Sequence, residues 1–150
     1  MRDRIDAALK LAMKSQDATR VATLRLILAA LKDREIAARD EEGALEDDEA
    51  TGLAILTKMV RQREDSARAY EEAGRLELAE RERAEIEVIR EFLPRPMTED
   101  EVDAAVASAI ADTDARGVQD IGRVMGTLKA RHRGRMDFSK VSRQVKAALD

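Results

Sequence analysis

The chain has 150 residues, a net charge of −4, one histidine and no cysteine. The missing thiols exclude disulfide scaffolds, thiolate zinc sites and cysteine nucleophiles, and a single histidine excludes multi-histidine metal centres. Aromatic residues make up only 2 % of the chain, which also has just 7 glycines and 2 prolines. A chain so poor in turn formers and strand-favouring residues is predicted to be an all-α protein.

Apolar residues at helical spacing predict four helices in the first part of the chain. Asp17 is placed to cap the second of them, and Gly74 suits the left-handed cap that ends the third. The charged stretch 40–43 is expected to be a solvated loop. The first helix is expected to end near residue 15, and the other three to cover about 18–38, 48–73 and 77–92.

Both prolines of the protein, Pro94 and Pro96, lie close together after the fourth helix, and neither position can continue a helix. Thr98 and Glu101 then match a capping box, which marks the start of a new helix. We therefore predict an N-terminal helical domain and a small C-terminal three-helix domain. Their ranges are 1–93 and 94–150, with the last three helices over about 99–112, 119–132 and 138–149.

Charge is distributed unevenly along the chain. Residues 1–93 carry 17 basic and 22 acidic side chains, whereas residues 117–149 carry eight basic and two acidic ones, a net +6. A solvated face is one interpretation, and binding to nucleic-acid phosphates is the other, because arginine suits bidentate phosphate contacts. The scarcity of aromatic residues disfavours base stacking, so such binding would depend on backbone and shape. The candidate contacts are Arg123, Lys129, Arg131, Arg133, Arg135, Lys140 and Arg143.

One charged residue interrupts an apolar helix stripe. Arg63 falls in the middle of the stripe of the third helix, while Glu82 lies inside that of the fourth and Glu85 at its edge. An unpaired guanidinium there would be unfavourable, so we predict a buried ion pair that fixes the register of the hairpin, with a ligand site as the alternative. The position of the residues on a helical wheel favours Glu82 as the partner. Counting residues outward from the turn at Gly74 favours Glu85 instead.

The sequence predicts no catalytic residues, no metal ligands and no cofactor. Most carboxylates fall on polar helix faces, no glycine-rich phosphate loop occurs, and His132 stands between two arginines on an expected surface. No apolar stretch approaches the ~20 residues of a membrane span, and the N-terminus is amphipathic. We therefore expect a soluble, cytoplasmic monomer that does not interact with membranes.

Five short blocks stand in a characteristic order along the chain: QREDS at 62–66, AGR at 73–75, LAERE at 78–82, EFLP at 91–94 and IGRVMG at 121–126. In this order and spacing they resemble the YqeY family, the stand-alone bacterial branch of the GatB/YqeY group. The resemblance covers essentially the whole chain and implies a helical domain followed by a three-helix domain.

The resemblance also implies a function. The B subunit of the tRNA-dependent amidotransferase, which converts Glu-tRNA(Gln) or Asp-tRNA(Asn), ends in a similar region that contacts tRNA. This likeness implies a non-catalytic tRNA-associated protein, whose tail motif at 121–126 and following basic residues approach tRNA.

Catalysis does not follow from the resemblance, because the amidotransferase reaction needs an ATP- and magnesium-dependent cradle and a separate Ser-Ser-Lys glutaminase. This chain has no serine pair and is too short for the cradle. Two alternatives stay open: an accessory component of a glutamine-dependent carbon–nitrogen ligase, and a helical protein–protein adaptor.

Overall fold

The computed structural model describes residues 1–39 and 48–150, and every regular element in these ranges is a helix. The all-α prediction is therefore confirmed, while the predicted loop at 40–43 lies outside the described residues. Contacts divide the chain into two compact units, Met1–Pro94 and Arg95–Asp150. The helices are α1 (Arg2–Lys14), α2 (Ala18–Arg39), α3 (Asp48–Glu72), α4 (Leu76–Arg90), α5 (Glu99–Asp112), α6 (Ile121–Arg131) and α7 (Phe138–Leu149).

The first unit contains α1 to α4, and two of its helix ends follow directly from single residues. The carboxylate of Asp17 caps α2 by accepting a hydrogen bond from the Arg20 N–H, at 3.1 Å. Gly74 has a φ of 74°, a left-handed conformation that ends α3 and lets the chain turn back into α4. Both caps are as predicted. The core of this unit includes the fully buried side chains of Ile5, Leu24, Ile27, Leu56 and Ile89.

The end of the α3–α4 hairpin near the turn at Gly74 is packed with small side chains. Ala67 and Ala79 are buried there, with 2 % and 1 % of their surface exposed, but neither belongs to the main apolar cluster of the unit. Small side chains let two helices approach closely but bury little apolar area. An ion pair between Arg83 and Glu71 links the two helices at the surface. This end of the hairpin therefore lies outside the main apolar cluster of the unit and carries an exposed ion pair.

The second unit contains α5, α6 and α7 around a core of its own, which includes Val124, Leu128 and Val145. The capping box at the start of α5 is confirmed. The Glu101 N–H donates to Thr98 Oγ1 at 3.2 Å, and the Thr98 N–H donates to Glu101 Oε1 at 3.3 Å.

The predicted helix over 119–132 differs from the structure at both ends. A short 3-10 turn, Val118–Asp120, precedes α6, and α6 ends at Arg131. The Asp120 carboxylate accepts a hydrogen bond from the Arg116 N–H at 2.9 Å, and this contact keeps the incoming chain in a tight turn. None of the helices that the structure describes combines the length and apolar character needed to span a bilayer.

Candidate nucleic-acid interface

Some of the basic residues predicted to bind phosphates have acidic partners within the second unit. Arg131 Nη1 lies 2.8 Å from Asp112 Oδ2, and Arg123 Nη2 lies 3.2 Å from Asp120 Oδ1. Each carboxylate offsets part of the positive potential that its arginine would present to a polyanion. These two arginines therefore contribute less to a basic surface than their charge alone indicates.

Arg135 has a structural role that its position in a basic run does not reveal. Its Nε donates to the backbone carbonyl of Arg95 at 3.1 Å, and its own carbonyl accepts a hydrogen bond from the Met97 N–H at 2.9 Å. Its Nη2 also lies 3.6 Å from Glu101 Oε2. Arg135 thus holds residues 95–97 against the connection between α6 and α7.

A tight turn connects the end of α6 to this contact. The Arg135 N–H donates to the His132 carbonyl at 3.1 Å, and Gly134 adopts a φ of 71°. Arg133 is exposed within the turn, while His132 is half-buried. Burial lowers the pKa of His132, and the charges of Arg135 and Arg131 lower it further. The imidazole is therefore neutral at pH 7, so the positive charge of this turn comes from arginine.

The remaining candidates are exposed on α6 and α7. Lys129 and Lys140 form no ion pair with any residue that the structure describes. Arg143 lies on the same side of α7 as Lys140, and its Nε reaches only the Ser139 carbonyl of its own helix, at 3.5 Å. Lys129, Lys140 and Arg143 therefore keep their full positive charge available to a ligand, and together they form the exposed cation set.

Two glycines lie on the exposed side of α6, opposite its buried residues. A Cβ added at Gly122 or Gly126 would meet no atom within 4 Å, so packing within the described chain does not require glycine at either position. Glycine inside a helix lowers stability by roughly 0.5–1 kcal/mol relative to alanine. These residues instead leave the helix backbone open to close approach by another molecule.

The structure brings Arg63 to Glu85, the partner expected from hairpin register. Arg63 Nε lies 3.0 Å from Glu85 Oε2, and the two side chains are 15 % and 21 % exposed. Arg63 Nη1 also donates to the Met59 carbonyl at 3.3 Å. Burial raises the pKa of Glu82, the neighbouring Glu85 charge raises it further, and Arg63 lowers it. Glu82 lies close enough to be influenced by both charges, but helix-wheel position selected the wrong hydrogen-bond partner.

Lysine and arginine side chains carry the positive charge of the second unit. In residues 1–39 and 48–150, no group of three or more histidine, aspartate or glutamate side chains is arranged to hold a metal ion. The second unit instead presents lysine and arginine groups, which match phosphate oxygens in charge and geometry. The fold and the site together define an all-helical protein whose small second unit carries a basic stretch over 117–149.

The chain matches the family described as Yqey-like protein, YqeY, over residues 2–149, and it belongs to this family. This membership agrees with the resemblance carried by the five sequence blocks.

Similar curated proteins come from yeasts and share one name, "Altered inheritance of mitochondria protein 41, mitochondrial". The protein from Lachancea thermotolerans is 35% identical over 109 residues, which cover 69% of this chain and 54% of the relative. The protein from Candida glabrata is 40% identical over 85 residues, covering 57% and 45%. The chain spans about half the length of these curated relatives. The family likeness therefore extends beyond the bacterial branch expected from the sequence.

Proposed function

We propose that this chain is a non-catalytic RNA-binding protein whose second unit contacts the phosphate backbone of tRNA. The observation that carries the proposal is the exposed cation set, Lys129, Lys140 and Arg143, none of which is paired with an acidic side chain of the described chain. An unpaired surface cation can exchange its counterions for a phosphate without first breaking an internal ion pair. The surface is therefore suited to a polyanion.

The second unit has little capacity to recognise bases. Phe138 is the one aromatic residue between positions 95 and 150, and it packs against the apolar core of the unit. Recognition of single-stranded RNA depends on aromatic side chains that stack on unpaired bases. A folded RNA that presents its backbone fits this surface better than a single strand does.

The choice of tRNA among folded RNAs is supported by family membership. The YqeY family resembles the terminal region of an amidotransferase subunit that contacts tRNA. The yeast relatives carry the word mitochondrial in their name, whereas the sequence predicts a cytoplasmic protein. Both compartments contain tRNA, so the proposal is compatible with either.

Reversing the charge of the exposed cation set should weaken tRNA binding at least about tenfold, because several phosphate contacts would become repulsive. The variant is Lys129→Glu/Lys140→Glu/Arg143→Glu, measured by fluorescence anisotropy with a labelled tRNA. The matched control is Lys10→Glu/Lys32→Glu/Lys58→Glu, which makes the same charge change at exposed positions of the first unit. Equal losses in the two variants would contradict a binding surface on the second unit.

Gly126→Ala should separate stability from binding. Alanine fits the open space at this position and favours the helix, so the free energy of unfolding should rise by roughly 0.4–1 kcal/mol. The added methyl group should also keep a phosphate backbone away from α6 and weaken tRNA binding severalfold. Thermal unfolding and anisotropy on the same protein sample test both effects. Unchanged affinity would show that RNA does not approach α6 at this glycine.

The adaptor alternative is favoured by a different observation. Leu11 in α1 and Leu76 at the start of α4 are 67 % and 61 % exposed and would offer apolar anchors to a protein partner. An adaptor would retain such a partner during purification after nuclease treatment. An RNA-binding protein would lose its nucleic acid under the same conditions.

A further inference from the structure

Two arginines of the second unit converge on one carboxylate. Arg95 Nη2 lies 3.2 Å from Glu101 Oε1, and Arg135 Nη2 lies 3.6 Å from Glu101 Oε2. The Arg95 side chain is 77 % exposed, so the pair opens to solvent and is accessible to a large ligand. Both oxygens of Glu101 thus face guanidinium groups on an accessible surface.

The backbone fixes the orientation of this arrangement. Arg135 Nε is held by the Arg95 carbonyl at 3.1 Å, and the Met97 N–H binds the Arg135 carbonyl at 2.9 Å. A guanidinium whose direction is already set loses less conformational freedom when it binds an anion. The Arg135 side chain is therefore pre-organised beside the position that Glu101 occupies, and the exposed Arg95 side chain reaches the same carboxylate.

Glu101 is also held in place by its own helix. The Thr98 N–H donates to Glu101 Oε1 at 3.3 Å, and this capping contact adds to the two arginine contacts. Hydrogen bonds from Thr98 lower the pKa of Glu101, and the charges of Arg95 and Arg135 lower it further. The carboxylate is therefore ionised at neutral pH and competes with other anions for the two arginines.

We propose that Arg95 and Arg135 form a phosphate-binding site, which Glu101 occupies in the free protein and which a phosphodiester of bound RNA takes over. A guanidinium fork presents the same pair of donors to a carboxylate as to a phosphate, so one anion can replace the other. Glu101 then acts as an internal competitor that lowers RNA affinity. The assignment of RNA as the ligand rests on the proposed function, and the phosphate site itself rests on the geometry.

Glu101→Gln is the decisive variant. Glutamine keeps the capping box, because its Oε1 can accept the same Thr98 N–H, but it no longer holds the arginines through charge. Glu99→Gln is the matched control: it removes the same charge from the same first turn of α5, and Glu99 is exposed with no ion pair to a described residue. In anisotropy measurements with labelled tRNA at fixed salt, Glu101→Gln should bind about two- to fivefold more tightly than Glu99→Gln, the range expected for exposed ion pairs.

Adding Arg95→Gln to Glu101→Gln should remove this gain. Equal affinities of the two single variants, or a gain that survives Arg95→Gln, would overturn the proposal. A titration of full-length, ¹⁵N-labelled Glu101→Gln protein with inorganic phosphate tests the site without RNA. The Nε–Hε signals of Arg95 and Arg135 should shift, and unchanged signals would overturn the site. If these signals shift but tRNA does not bind, the site stands and the proposed function is wrong.

Discussion

Raising the salt concentration from about 50 to about 200 mM should weaken tRNA binding on the order of a hundredfold. Because Phe138 is the one aromatic side chain between positions 95 and 150 and packs against the core, most of the binding free energy should come from counterions released when lysine and arginine meet phosphates. A hundredfold loss corresponds to about four such contacts, of which the exposed cation set would supply three. Each contact makes the slope of log affinity against log salt concentration more negative by slightly less than one.

The measurement is a series of anisotropy titrations at several salt concentrations, with the slope of log affinity against log salt as the result. The variant reversed at the exposed cation set should give a slope shallower by about three contacts, while the control reversed at Lys10, Lys32 and Lys58 should retain the slope of the wild type. A wild-type slope near zero would contradict phosphate binding and favour the adaptor alternative. A steep wild-type slope that the variant leaves unchanged would show that the phosphate contacts do not involve the exposed cation set on α6 and α7.

Helix boundaries could be predicted from the sequence because single residues determine them. Asp17, Gly74 and Thr98 each end or begin a helix through a contact made within a few residues of chain, so the signal is present in the local sequence. The sequence predicts the start of α6 at about residue 119, whereas the helix begins at Ile121. The Asp120 carboxylate accepts a hydrogen bond from the Arg116 N–H and forms a turn before the helix. This turn leaves the helical spacing of the following apolar residues unchanged, so the spacing does not reveal it.

The acidic partners of the basic residues could not be predicted in this way. Arg131 meets Asp112, and Arg135 meets Arg95 and Glu101, through the packing of α5 against α6 and its following turn. Helical periodicity tells which residues share a face, but not which residue of a neighbouring helix that face meets. A charge reversal of Arg131 and Arg135 would break these contacts as well as any contact with RNA. Reversing the charge of the exposed cation set tests RNA binding without breaking an ion pair inside the second unit.

Arg63→Ala should lower the free energy of unfolding by about 2–3 kcal/mol, between the value for a hydrogen bond to a charged group and that for a fully buried ion pair. The variant removes the 3.0 Å contact to Glu85 and leaves that carboxylate, which is only 21 % exposed, beside Glu82 with no cation between them. The raised pKa of Glu82 reflects its burial and the repulsion from Glu85. The loss should be large because the carboxylate left without its cation is mostly buried.

Urea unfolding of the full chain measures this loss, with Arg81→Ala as the control. Arg81 is exposed on the same hairpin, so its replacement should change the free energy of unfolding by less than about 0.5 kcal/mol. Because the pKa of Glu82 is raised, its charge opposes folding above that pKa, and this opposition is lost as the pH falls through it. The destabilisation caused by Arg63→Ala should therefore be smaller at about pH 4 than at pH 7. A loss equal to that of Arg81→Ala at both pH values would show that the Arg63–Glu85 pair does not stabilise the hairpin.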